Sequence, residues 1–212
     1  MKKWDIENAI HTHKMIAVIR SDSEDEAYEM ARLSVEGGIR LIEVTATTPG
    51  FLNIIKKIRK EQPKHVIVGA GTILDPTSAR MSIMEGAEFI VCPHYEKEII
   101  ELCHLYQVLI IPGAATVESA VLCLKAGCSF IKLFPGSIFQ PSDIKSFKGP
   151  LPQAKFIPTG GVGKVNIRDW LEEGAAAVGV GSELKRVYQK EKHGFADYIV
   201  SLVERAGVRS PV

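Results

Sequence analysis

The sequence predicts an α/β fold, a single (β/α)8 barrel with an N-terminal helix, with residues 1–212 forming one domain. Three observations carry this expectation. Short apolar runs alternate with helical patterns of about ten to fifteen residues, which signals βαβ units and a parallel sheet. The runs recur eight times at a mean spacing of roughly 23 residues, closer to a closed barrel than to an open doubly wound sheet. The endings Glu36-Gly37-Gly38, Glu85-Gly86-Ala87, Lys125-Ala126-Gly127 and Glu173-Gly174-Ala175 resemble one another, each closing a helix and opening a strand.

An amphipathic stretch, Trp4 to His13, opens the chain. Strands are then expected at Met15–Ile19, Leu41–Thr45, Val66–Gly69, Phe89–Cys92, Leu109–Ile111, Phe130–Phe134, Phe156–Thr159 and Ala177–Val180, apolar runs of the kind a sheet covered on both faces requires. Helices are expected at Glu24–Glu36, Phe51–Glu61, Pro76–Glu85, Glu96–Tyr106, Thr116–Lys125, Asn166–Glu173 and Phe195–Arg205, most of them stopped by glycine. The connection from Gly136 to Lys155 is the least regular, because Pro135, Pro141, Pro150 and Pro152 leave room only for a short helix around Ser142–Phe147.

Composition narrows the function. The chain has 26 basic and 25 acidic side chains and no basic run, so no nucleic acid is expected as a partner. Residues 1–15 carry Asp5, Glu7 and two histidines, unlike a signal peptide, and no apolar stretch approaches a membrane span; a cytoplasmic protein with no membrane partner is expected. Cys92, Cys103, Cys123 and Cys128 lack CxxC spacing and read as reduced packing thiols. The six histidines show no pattern of converging metal ligands, so no metal and no cofactor are expected.

Lys132 stands out, a cation inside the apolar run Phe130-Ile131-Lys132-Leu133-Phe134. An unpaired ammonium in such a place costs several kcal/mol. Strand parity places Lys132 with Phe130 and Phe134, opposite Ile131 and Leu133; in Leu41-Ile42-Glu43-Val44-Thr45, Glu43 likewise opposes Ile42 and Val44. If the branched residues pack on the helices, both charges point inward from even-numbered strands, at similar height. An amine beside a carboxylate is what Schiff-base chemistry on a ketone needs, one as nucleophile and the other as proton shuttle. Two plainer readings stand beside it: a lysine that snorkels to the strand end, and a simple buried ion pair.

Other polar residues gather at the carboxyl ends of the strands, where barrels place their active sites: Arg20, Glu43, Thr45, Thr72 and the turn residue Pro93. Pro158-Thr159-Gly160-Gly161-Val162 and Val178-Gly179-Val180-Gly181-Ser182 end adjacent strands ahead of a helix start near Ser182, an arrangement suited to phosphate, although either glycine pair alone is as often only a turn. Gly69-Ala70-Gly71-Thr72 lacks dinucleotide or P-loop spacing and reads as a tight loop presenting the Thr72 hydroxyl.

Taken in order, Ile39-Arg40-Leu41-Ile42-Glu43-Val44-Thr45, Gly69-Ala70-Gly71-Thr72, Ile111-Pro112-Gly113, Ile131-Lys132-Leu133-Phe134-Pro135 and Pro158-Thr159-Gly160-Gly161-Val162 resemble the bifunctional 4-hydroxy-2-oxoglutarate/2-dehydro-3-deoxy-phosphogluconate aldolases. The resemblance implies a metal-independent class I aldolase, usually a homotrimer, acting on a small 2-oxo acid or phosphosugar acid. Lys132 would form the Schiff base and Glu43 transfer protons. Thr72 and Thr159 would hold the pyruvate carboxylate, Pro93 and Phe134 line the pocket, and Gly160, Gly161 and Ser182 receive the phosphate.

One departure matters. Many members carry an arginine four residues after the catalytic glutamate; here that substrate-binding position is Thr47. Some carry one at the end of strand one instead, where Arg20 stands with the inward parity of Val18; the plainer reading pairs Arg20 with Asp22 or Glu24 at the surface. The expected reaction is cleavage of 2-dehydro-3-deoxy-6-phosphogluconate to pyruvate and glyceraldehyde 3-phosphate, with 4-hydroxy-2-oxoglutarate as a second substrate. An aldolase for the galactonate epimer and a non-catalytic phosphosugar-binding barrel are the alternatives.

Overall fold

The computed structural model describes residues 2–207. Its strands are β1 (Met15–Ile19), β2 (Leu41–Thr45), β3 (Ile67–Gly71), β4 (Phe89–Val91), β5 (Leu109–Ile111), β6 (Gly113–Ala114), β7 (Ile131–Leu133), β8 (Phe156–Pro158) and β9 (Val178–Val180). Every pairing is parallel, in a six-stranded sheet of order β5-β4-β3-β2-β1-β9 and a three-stranded sheet of order β6-β7-β8. Together they make an α/β fold with a curled parallel sheet. Pro112, which has no N–H to donate, separates β5 from β6, so the expected fifth strand continues past a break.

The helices are α1 (Lys3–His13), α2 (Glu24–Glu36), α3 (Phe51–Glu61), α4 (Pro76–Met84), α5 (Lys97–Leu105), α6 (Val117–Lys125), α7 (Asp143–Lys148), α8 (Ile167–Glu172), α9 (Ser182–Lys190) and α10 (Phe195–Arg205). Several start on a side chain that accepts from the first helical turn: Ser23 from Glu26 N–H, Asp75 from Ser78 N–H and Thr116 from Ser119 N–H. In the irregular connection a one-turn 3-10 helix, Gly136–Ile138, precedes α7, close to the short helix the prolines allow.

The core divides by strand parity. Ile42, Val44, Ile131 and Leu133 join the layer packed on the helices. Leu41, Ile67, Phe89, Leu109, Phe130 and Ile157 form a second cluster on the inner face of the curl. Ile6 and Ile10 of α1 belong to this inner cluster, together with Leu41, Ile67, Phe89 and Leu109, which open their strands; α1 therefore closes the amino-terminal end of the inner face. The carboxyl end stays open. Strand β3 begins one residue later than expected and runs two further, because Ala70 and Gly71 pair with Val44 and Thr45 rather than leaving as a loop.

Candidate active site

Lys132 and Glu43 arrive from opposite sheets. The registers Val18↔Glu43↔Gly69 and Gly113↔Lys132↔Ile157 put both on inward positions, as parity requires. Lys132 is 4% exposed and Glu43 2%, so neither snorkels. Lys132 Nζ lies 3.5 Å from Glu43 Oε1, and that oxygen, although buried, accepts no hydrogen bond among the described residues. A pair held for stability alone would be expected to close to a shorter charge-assisted bond with its remaining lone pairs satisfied. A long contact with a free oxygen instead suits a carboxylate that takes and returns protons.

Space for Glu43 is cut out of β3. A Cβ on Gly71 would lie 2.5 Å from Glu43 Cγ and closer still to the carboxylate, so a side chain there is incompatible with the observed rotamer. The glycine is therefore a seat for Glu43 as well as part of a strand end.

Above the pair opens a cavity of about 510 Å3. Its wall contains eight of the residues expected from the sequence: Arg20, Thr72, Pro93, Lys132, Phe134, Thr159, Gly160 and, at the first turn of α9, Ser182. The Phe134 ring lies 5.1 Å from Lys132 Nζ and gives the amine an aromatic face. Arg20 donates to Thr72 Oγ1 at 3.2 Å, while Asp22, one of its expected surface partners, pairs with Lys185 at 2.9 Å. Thr72 holds φ 56°, an uncommon and strained backbone for a β-branched residue, and the reward is a hydroxyl turned to Arg20 in the cavity wall.

The glycine loop after β8 turns through φ 96° at Gly160 and 74° at Gly161, which residues with a Cβ rarely adopt. Gly161 is exposed and outside the cavity wall; its carbonyl accepts from Asn166 Nδ2 at 2.9 Å. Thr47 also stands apart, exposed, with its hydroxyl 3.2 Å from that of Thr45. His94 is outside the wall too, 3.7 Å from Glu96.

The sequence reading missed Lys185, Arg186 and Gln189, which α9 contributes to the wall. Their signal was present, a basic pair one turn after Ser182, but only a helix start was read there. With Arg20 and Lys132, Lys185 and Arg186 make four cations around a cavity whose buried acid is Glu43, a field for an anionic ligand.

The family model described as "Aldolase: KDPG and KHG aldolase" matches residues 6–199. The 2-dehydro-3-deoxy-phosphogluconate aldolase of Pseudomonas aeruginosa is 34% identical over 74% of this chain and 72% of its own length. The 2-dehydro-3-deoxy-6-phosphogalactonate aldolase of Escherichia coli K12 is 32% identical over 82% and 86%. Among solved structures, the KDPG aldolase of Legionella pneumophila, with pyruvate captured as a covalent carbinolamine, superposes with a TM-score of 0.82 at 27% identity, covering 96% of this chain and 98% of that one. The Zymomonas mobilis aldolase with 3-phosphoglycerate gives 0.84 at 26% identity, covering 97% and 96%.

Proposed function

Because this chain belongs to the KDPG and KHG aldolase family, we propose that Lys132 is its imine-forming amine, Glu43 its proton carrier, and the cavity above them the seat of class I aldol cleavage. The protein is an aldehyde-lyase that cleaves 2-dehydro-3-deoxy-6-phosphogluconate to pyruvate and glyceraldehyde 3-phosphate. The observation that carries the residue assignment is the buried amine 3.5 Å from a carboxylate oxygen with no hydrogen bond of its own, both beneath a cavity lined by cations.

The unprotonated Lys132 amine attacks the C2 ketone to give a carbinolamine, and loss of water leaves an iminium, the electron sink. Glu43 takes the C4 hydroxyl proton, directly or through water; the C3–C4 bond breaks, its electrons form the enamine, and glyceraldehyde 3-phosphate leaves. Glu43 then returns a proton to C3, and hydrolysis frees pyruvate and Lys132. Arg20, with Thr72 and Thr159, holds the carboxylate and thereby replaces the arginine absent at Thr47, while Gly160 and Ser182 receive the phosphate at the start of α9, with Gly161 at the rim of that site. Pro93 and Phe134 wall off the pyruvyl end.

The curl is read as a closed (β/α)8 barrel forming one domain. A parallel bridge, Thr159↔Gly179, supports closure between β8 and β9, as does the Ala176 N–H donating to Phe156 O at 2.9 Å; β5 and β6 then count as one broken strand. The assembly is read as a homotrimer from family resemblance, alongside a structural match to a cage built from symmetric oligomeric domains, with TM-score 0.81. A cytoplasmic setting fits four free cysteines. No helix among the described residues is long and apolar enough to cross a membrane.

Initial rates of pyruvate release from the phosphogluconate substrate, its galactonate epimer and 4-hydroxy-2-oxoglutarate test the reading. The phosphogluconate compound is expected to have the highest kcat/KM, and a clear preference for the epimer would reassign the substrate while leaving Lys132 in place.

A further inference from the structure

Resting on the phosphate assignment above, we infer that Glu183 is the positioning residue of the phosphate cradle, the clasp that fixes the glycine loop after β8 onto the start of α9. Glu183 follows Ser182 directly and lies outside the cavity wall, its side chain 17% exposed. Its carboxylate joins three segments. Oε1 accepts the Lys164 backbone N–H at 2.7 Å and the Tyr198 hydroxyl from α10, and Oε2 lies 3.6 Å from Arg186 of α9.

Lys164 lies in the loop that runs from Thr159 to α8, so a bond to its N–H fixes where Gly160 and Gly161 stand relative to Ser182. The rest of the loop is built around this clasp. Asn166 accepts from Gly163 N–H at 3.0 Å and donates to the Gly161 carbonyl at 2.9 Å. Lys164 Nζ donates to Ser201 on α10 at 2.9 Å. Gly163 is small of necessity, since a Cβ there would lie 2.6 Å from Glu183 Oε1 and nearer still to Oε2.

An acid in the first turn of a helix ordinarily takes the place an anion would want. Here Glu183 is engaged by the loop and by α10, away from the cavity, which leaves the first amides of α9 and the Ser182 hydroxyl for a ligand. Burial, then the hydrogen bond to Glu183, pushes the Tyr198 phenol up, keeping it a donor throughout the working pH range.

The experiment compares E183A, E183Q and G163A with the wild type on the phosphorylated substrate and on 4-hydroxy-2-oxoglutarate, with inorganic phosphate binding followed by 31P line broadening. The ratio of kcat/KM for phosphorylated over unphosphorylated substrate is expected to fall at least about tenfold in E183A, through KM, because loop and helix no longer hold one geometry. E183Q, which keeps the accepting oxygen, is expected to restore most of the ratio. G163A is expected to imitate E183A and to add little to it.

Equal losses on both substrates, an unchanged ratio, or a Gln variant as poor as Ala would overturn the assignment. If E183A does not fold, G163A and Y198F carry the same comparison. A wild type that forms a borohydride-stable pyruvate adduct yet shows no advantage for phosphorylated substrate overturns both the cradle and the clasp. A wild type that traps no pyruvate refutes the Schiff-base reading alone, and the phosphate titration of wild type against E183A then decides the role of Glu183.

Discussion

Gly71→Ala adds one methyl group beneath the proposed proton carrier. The new Cβ would stand 2.5 Å from Glu43 Cγ, against the 3.5 Å or more of an ordinary carbon contact, so Glu43 must retreat by about 1 Å or change rotamer. Gly71 is not among the glycines with positive φ, so alanine fits the backbone, and the strain falls on Glu43, whose Oε1 now lies 3.5 Å from Lys132. Misplacement on this scale costs about 100-fold in rate, within the roughly 10²–10⁴ that general acid–base catalysis supplies. We expect kcat for aldol cleavage, followed as pyruvate in a lactate dehydrogenase coupled assay, to fall by about that factor. KM should change less than kcat, because the added methyl meets Glu43 alone and leaves Arg20 and the start of α9 untouched. The double variant G71A/E43A should be no slower than E43A alone, since both act through one group. A folded G71A with kcat within about fivefold of wild type, or one whose loss multiplies with that of E43A, would refute the reasoning.

Lys132→Met should abolish cleavage and, by leaving Glu43 charged, buried and alone, lower stability by about 3–5 kcal/mol in urea at pH 7; adding E43Q should recover most of that, and equal stability of K132M and wild type would contradict it. Arg20→Gln should raise KM for every 2-oxo acid by about 10–100-fold with a smaller effect on kcat, whereas an unchanged KM would remove Arg20 from the carboxylate site. Burial, then the charges of Arg40 and His65, holds the pKa of His13 below its ordinary 6.5. The unfolded chain therefore takes up the proton first as pH falls through about 6.5, and stability drops until the folded histidine titrates. Urea midpoints from pH 7.5 to 5 should fall, less steeply in His13→Asn, and identical slopes would deny the effect. Burial raises all four thiols, Cys128 to about 11 and Cys103 and Cys123 to about 12, with Cys92 pushed up further. Ellman's reagent should therefore react with none of them in the native protein and with four in urea; a fast native thiol would contradict the packing.

Much of the site was legible because a strand's two-residue period is rigid: once Ile42, Val44, Ile131 and Leu133 go to the helices, Glu43 and Lys132 can only face inward. Arg20 followed from the same parity through Val18. What parity does not encode was missed. Gly71 read as loop, since nothing in a Gly-Ala-Gly run announces that a carboxylate from the next strand needs the room. Lys185, Arg186 and Gln189 depend on how α9 leans over the cavity, an angle set by its packing and not by its pattern. Glu183 drew no reading of its own from the sequence, because its role exists only where Lys164 and Tyr198, far apart in sequence, converge on it. Thr47 was inherited from a family pattern whose arginine this chain lacks, and its short side chain stays with Thr45.

The central claim is that Lys132 makes the imine. Incubation with pyruvate and sodium borohydride, then proteolysis and mass spectrometry, tests it most directly. The account predicts one stable reduced pyruvyl adduct, on Lys132, formed far more slowly in E43A and absent in K132M. A folded enzyme that cleaves its substrate with no adduct on Lys132, or with the adduct on another lysine such as Lys185, would contradict it.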